Sequence, residues 1–127
     1  MPFVALVTLL LIGQYMFFMM MVGQARSAAG IKAPAMAGDE VFERHVRVHL
    51  NTLEQLMITL PAMWVCASYF STTFAATMGT VFFVGRFVYR SAYLADPGSR
   101  GKGVMIGFLA SVAMVMAGLW GVITELL

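Results

Sequence analysis

An all-α integral membrane protein, a bundle of four transmembrane helices, is the fold class this sequence predicts, and three observations predict it. Of 127 residues, 61% are hydrophobic and 11% charged, with a mean hydropathy of +0.85, which is too apolar for a soluble single domain. Residues 2–22, 53–70, 74–93 and 104–127 each approach the roughly 20 apolar residues that a helix needs to cross a hydrocarbon core of about 30 Å. All eight Lys and Arg residues gather in or beside the first and third of the three connecting segments. The chain is expected to form one domain over residues 1–127, with no soluble module, low-complexity tract or clear repeat.

The first helix resembles a signal sequence only in position. It lacks a basic leading region and its apolar run is longer than the usual hydrophobic core of such a signal, so it is expected to be retained. Gln24, Arg26 and Ser27 end it, and residues 28–38, with Gly30, Pro34 and Gly38, form a short loop. The second helix is expected to start near Asp39, a capping residue, with Asp39, Glu40 and Glu43 complementing the positive end of the helix dipole. It would run about 30 residues, with a kink at Pro61, which a membrane helix tolerates. Ser71, Thr72 and Thr73 give a tight turn into the third helix, and Asp96-Pro97-Gly98-Ser99 separates the third helix from the fourth. Gln14 is expected to bridge helices by a hydrogen bond, and Gly79, Gly85, Gly107, Gly118 and Gly121 to allow close helix approach.

Arg26, Lys32, Arg44 and Arg47 surround the first loop and Arg86, Arg90, Arg100 and Lys102 the third, while the second loop and both ends carry none. Loops one and three are therefore expected on the cytoplasmic side and both termini on the far side. Basic residues confined to one membrane face, without a binding motif, exclude a nucleic-acid role. Cys66, the only cysteine, excludes an internal disulfide and reads as a packed thiol.

Function is concentrated where charges run into apolar sequence. From Phe42 to Leu60 no loop signal intervenes, so two arginines, an asparagine and a glutamate enter the membrane on one helix. Ionisable groups at that depth cost several kcal/mol each unless they face partners or a wet cavity. At about 100° per residue, Glu43, Arg44, Arg47, Asn51 and Glu54 share one stripe, and His45 and His49 point elsewhere. Glu54 must be paired or protonated, with Arg47 as the available partner. On the third helix Arg86, Tyr89, Arg90 and Tyr93 follow i, i+3, i+4 and i+7 spacing, a strip of guanidinium and phenol at the same membrane side. The intervening turn should fold Arg100 back over the helix ends. His45 and His49 lack a third ligand, so no metal is expected.

Several arginines, an amide, a carboxylate and phenols suit a short acidic peptide: guanidinium forks for its carboxylates, Glu54 for its ammonium, Asn51 for its amides. If that peptide carries a thiol, a nearby guanidinium lowers the thiol pKa and makes a thiolate nucleophile without a protein nucleophile.

The pattern Phe42-Glu43-Arg44-x-x-Arg47-x-His49-x-Asn51-x-x-Glu54, with Gly85-Arg86-x-x-Tyr89-x-x-x-Tyr93 and Arg100, resembles the membrane-associated proteins in eicosanoid and glutathione metabolism, the MAPEG family. The resemblance covers essentially the whole chain. It implies a homotrimer of four-helix subunits with glutathione bound between neighbours near the cytoplasmic face. Arg26, Arg47, His49, Asn51, Glu54, Gln55, Tyr89 and Tyr93 would contact glutathione, Arg100 would stabilise its thiolate, and Arg86 would support the site from within the bundle. His49 stands where eicosanoid-synthesising relatives have glutamine and would reach a neighbour's pocket, and Gln55 stands where they have tyrosine, which weakens a leukotriene reading.

The function expected from this is a membrane glutathione transferase, with glutathione peroxidase activity as an associated option, acting on lipophilic electrophiles or lipid hydroperoxides that arrive through the bilayer. The alternative is a non-enzymatic lipid-binding or scaffolding protein of the same fold. A small four-helix multidrug exporter is disfavoured because residues 2–22 hold no acidic side chain. Compact loops and the Leu126-Leu127 end favour a bacterial inner membrane over the endoplasmic reticulum.

Overall fold

A computed structural model describes all residues 1–127. Four helices make up nearly the whole chain: α1 (Pro2–Ala29), α2 (Glu40–Tyr69), α3 (Thr72–Ala95) and α4 (Gly101–Leu126), with a single 3-10 turn at Pro97–Ser99 before α4. Sequence explains their ends. Gly30 adopts φ 69°, the left-handed conformation that closes a helix C-terminus, and its amide returns to the Ser27 carbonyl. Asp39 caps α2 as expected, its Oδ2 accepting from the Phe42 amide at 3.0 Å. Ser71 caps α3 through the Phe74 amide at 3.1 Å, so Thr72 and Thr73 belong to the helix and the second loop is tighter than expected. Pro61 leaves α2 unbroken from Glu40 to Tyr69.

The residues α1 and Pro97–Leu126 are long and apolar enough to cross a membrane. In α2 and α3 the apolar sequence is interrupted by Arg47, Asn51 and Glu54, and by Arg86 and Arg90. These two helices form the middle of the bundle, touching each other, with α1 and α4 each packed against both.

One apolar core joins all four: Val4, Val7 and Leu11 of α1, Leu56, Met63 and Cys66 of α2, Ala75 and Phe82 of α3, and Ala110 and Met114 of α4. Small residues set the spacing. A Cβ on Gly103 would lie 2.4 Å from the Tyr89 backbone, and one on Gly121 2.2 Å from the Tyr69 carbonyl oxygen, so α4 approaches α3 and α2 there at backbone contact. The five glycines expected at close approaches all meet a neighbouring helix; Gly103 adds a sixth. Buried polar groups pair across helices. Gln14 Nε2 donates to the Phe83 carbonyl at 2.8 Å, and the Thr59 and Ser111 hydroxyls share a hydrogen bond at 2.7 Å.

Candidate functional site

The functional end of the bundle is built where α2 enters it. The buried side of α2 points at α1, α3 and α4 through Val48, Thr52, Leu56 and Thr59, which places Asn51 one position round, facing α3. Arg86 of α3 meets it. Its Nη2 donates to Asn51 Oδ1 and to Thr52 Oγ1, both at 2.8 Å, and its guanidinium carbon lies 4.1 Å from the centre of the Tyr89 ring. Arg86 is only 1% exposed, yet no carboxylate compensates it: the only ion pair in the chain joins Arg44 to Glu40.

From this buried cation the polar path runs outward. Tyr89, 2% exposed, stacks on Tyr93 with centroids 5.7 Å apart. Tyr93 in turn lines an open groove of ≈ 370 Å³ with Glu40, Glu43, Arg44, Arg47 and Pro97. Arg44 closes one wall, donating from Nη1 to the Leu94 carbonyl at 2.9 Å while Nη2 pairs with Glu40. The structure thus brings Arg47, Asn51, Arg86, Tyr89 and Tyr93 to one end of α2 and α3.

Other expected site residues lie apart from this group. Arg47 and Glu54 make no ion pair, correcting the pairing expected from their shared stripe. Seven residues along a helix is about 10.5 Å, too far for side chains that both turn outward. Both are exposed, on a side of α2 left largely uncovered at their level of the helix; further along, Ile58, Pro61 and Val65 border a groove against α4. Arg26 is engaged by the first loop, donating to the Ala35 carbonyl at 2.8 Å, with its guanidinium 4.8 Å from the Phe42 ring centre. Arg100, expected to fold back over the bundle, is exposed at the start of α4 and donates to the Pro97 carbonyl at 3.1 Å, since the 3-10 turn presents that carbonyl first. Gln55 is half-buried.

His49 faces the opposite way from the groove and stacks on Tyr15 of α1, centroids 4.8 Å apart, with Nε2 buried and unpartnered. Burial lowers the pKa of both His49 and His45, and the Arg90 charge lowers His45 further, so both imidazoles are neutral at pH 7. Arg90 also leaves the expected strip: it lies against Phe17 and Phe18 of α1 rather than beside Arg86. Thr52 escaped the sequence reading, because a threonine among apolar helix residues carries no signal until the partner that needs its oxygen is known.

Fold and site define a membrane-associated helical bundle that gathers cations, an amide and phenols at one end of its two central helices. The chain belongs to the MAPEG family, whose sequence profile matches residues 4–120. It is 38% identical to an uncharacterized protein of Synechocystis, over 96% of this chain and 89% of that one. It is also similar to microsomal glutathione S-transferase 2 of Homo sapiens, 31% identical over 89% of this chain and 78% of that protein, and to that of Bos taurus, 28% identical over 90% and 78%.

Proposed function

We propose that this protein is a membrane glutathione transferase, with peroxidase activity on lipid hydroperoxides as a second outcome of the same thiolate. In this reading α2 and α3 also cross the bilayer, at residues 53–70 and 74–93. The first and third loops are cytoplasmic, and three copies assemble so that each uncovered α2 face meets a neighbour. The membrane is a bacterial inner membrane.

One observation carries the reading. A buried guanidinium without a counter-ion, Arg86, holds Asn51 in place beside a groove containing Arg47 and Tyr93, while Arg47 and Glu54 stand unpaired on the uncovered face of α2. Such an arrangement attracts an anionic ligand that also has an ammonium, and it is half of a site within one chain. Similarity to microsomal glutathione S-transferase 2 supports glutathione as that ligand.

In the proposed roles, Arg26, Arg47, His49, Asn51, Glu54, Gln55, Tyr89 and Tyr93 hold the tripeptide, and Arg86 fixes Asn51 and Tyr89 from behind. Arg100, free of any acidic partner, would turn towards the sulfur and stabilise the thiolate, most effectively where water is partly excluded. The thiolate sulfur then attacks the electrophilic carbon, and the leaving group departs with the bonding electron pair. With a hydroperoxide, two glutathione thiols are oxidised to the disulfide as the peroxide is reduced to an alcohol and water.

A glutathione titration of the detergent-purified protein, followed by assays with chlorodinitrobenzene and a lipid hydroperoxide, tests this. Saturable binding with a rise in thiolate absorbance and turnover is the expected result. Binding without thiolate formation or turnover would leave the non-enzymatic reading in its place.

A further inference from the structure

Arg90 forms an arrangement that the proposed reaction does not use. The step of four residues from Arg86 swings it about 40° round α3. Its guanidinium carbon lies 5.3 Å from the Phe17 ring centre and 5.8 Å from that of Phe18. Phe17 also meets Phe87 of α3 at 6.4 Å, and both rings are exposed on the outside of the bundle, at 38% and 37%. The cation therefore sits at the edge of an aromatic patch turned towards lipid.

No protein group satisfies it. Arg90 Nε is buried without a partner, its terminal nitrogens have no acceptor in the chain, and no carboxylate lies within ion-pair distance. Aromatic faces offset only about 0.5–2 kcal/mol for such a cation. The Arg90 charge and burial both hold the His45 imidazole of α2 in its neutral form, so it adds no competing cation there. Depth matters too. Phe18 precedes Val22, the last residue of the first apolar run, by four residues, about 6 Å along the helix. In the orientation proposed above, which this inference rests on, that is about one helical turn inside the cytoplasmic end of the first apolar run.

We propose that Arg90, with the exposed rim of Phe17 and Phe87, forms a binding site for the phosphate of an anionic phospholipid. A guanidinium fork matches two phosphate oxygens, and the exposed rings offer the acyl chains a surface. The apolar rim points to a lipid rather than to free phosphate, and a cation at the cytoplasmic leaflet favours lipids of net negative charge.

The test uses the full-length protein, purified in detergent, stripped of lipid and titrated with short-chain phosphatidylglycerol or with phosphatidylcholine of the same chain length. Lipid retention is read by native mass spectrometry and stability by the thermal midpoint. Phosphatidylglycerol should be retained and raise the midpoint, and phosphatidylcholine should do neither. R90Q should weaken phosphatidylglycerol binding about fivefold, R90K should fall between, and K32Q, a loop charge, should change nothing. Equal responses to the two lipids, or R90Q binding like wild type, would overturn the proposal. So would displacement of the lipid by millimolar inorganic phosphate, or a change in oligomer mass in R90Q with lipid preference intact, which would give Arg90 a carboxylate of a second copy. Should R90Q fail to fold, the wild-type lipid comparison and R90K decide.

Discussion

The Nη2 atom of Arg86 lies 2.8 Å from Oδ1 of Asn51, and this contact locks α3 to α2 at the functional end of the bundle. The same nitrogen also donates to Thr52, so one buried cation fixes two neighbouring side chains. Removing it leaves two acceptors without a donor at a site that is 1% exposed.

R86L is therefore expected to lose about 1–3 kcal/mol for each buried acceptor left unpaired, seen as a lower thermal midpoint in detergent. R86K should recover part of the loss, because an ammonium can reach one acceptor but cannot reproduce the planar donor. An unchanged midpoint in R86L would mean that the contact holds nothing together.

At Gly103 the backbones of α4 and α3 touch. G103A puts a methyl group 2.4 Å from the Tyr89 backbone and is expected to cost about 1–3 kcal/mol, with the Tyr89–Tyr93 stack displaced and glutathione affinity reduced. Gly23 has open space around it inside α1, so G23A should stabilise by roughly 0.5–1 kcal/mol from helix propensity alone. Chemical or thermal unfolding of the pair separates close packing from propensity.

His49 gives the fold a pH dependence of defined sign. Its folded-state pKa is lowered below the ordinary 6.5, so its stabilising contribution is complete above that value and is lost as the pH falls through the folded-state value. The thermal midpoint should decline on the acid side of the range from about pH 8 to pH 5. H49F keeps a ring against Tyr15 and should flatten that decline, leaving the smaller part due to His45.

Kinetics should split the proposed site roles. R100A is expected to reduce kcat by about two orders of magnitude with little change in glutathione affinity, as for loss of a group that stabilises developing charge. R47A and E54A should instead weaken glutathione binding roughly tenfold or more, with a smaller effect on the bound-state rate. Wild-type turnover in R100A would remove Arg100 from the chemistry and leave it only its hydrogen bond to the Pro97 carbonyl.

Much of the site is legible along α2 and α3 because helical spacing fixes which side chains share a face. Asn51 and Arg86 could each be singled out, since polar groups in apolar helices need partners. That they are each other's partners is not written in either helix. Arg47 and Glu54 show what helical spacing leaves open: a shared stripe suggests a pair, but the rise of the helix keeps them apart. Arg90 shows the same, because its spacing from Arg86 fits a common strip while its aromatic neighbours come from α1.

By itself the sequence determined the four helices, the cap at Asp39 and the membrane character, which follow from hydropathy, periodicity and local hydrogen bonding, and its motifs carried the resemblance to the family. Only the tertiary structure decided that Thr52 completes the Arg86 site, that His49 stacks on Tyr15, that Arg26 is held by its own loop and that α4 touches α3 at Gly103. Apart from the local Arg26 contact, those join different helices. They depend on the rotation and separation of whole helices, which packing of every side chain sets together and no single stretch encodes.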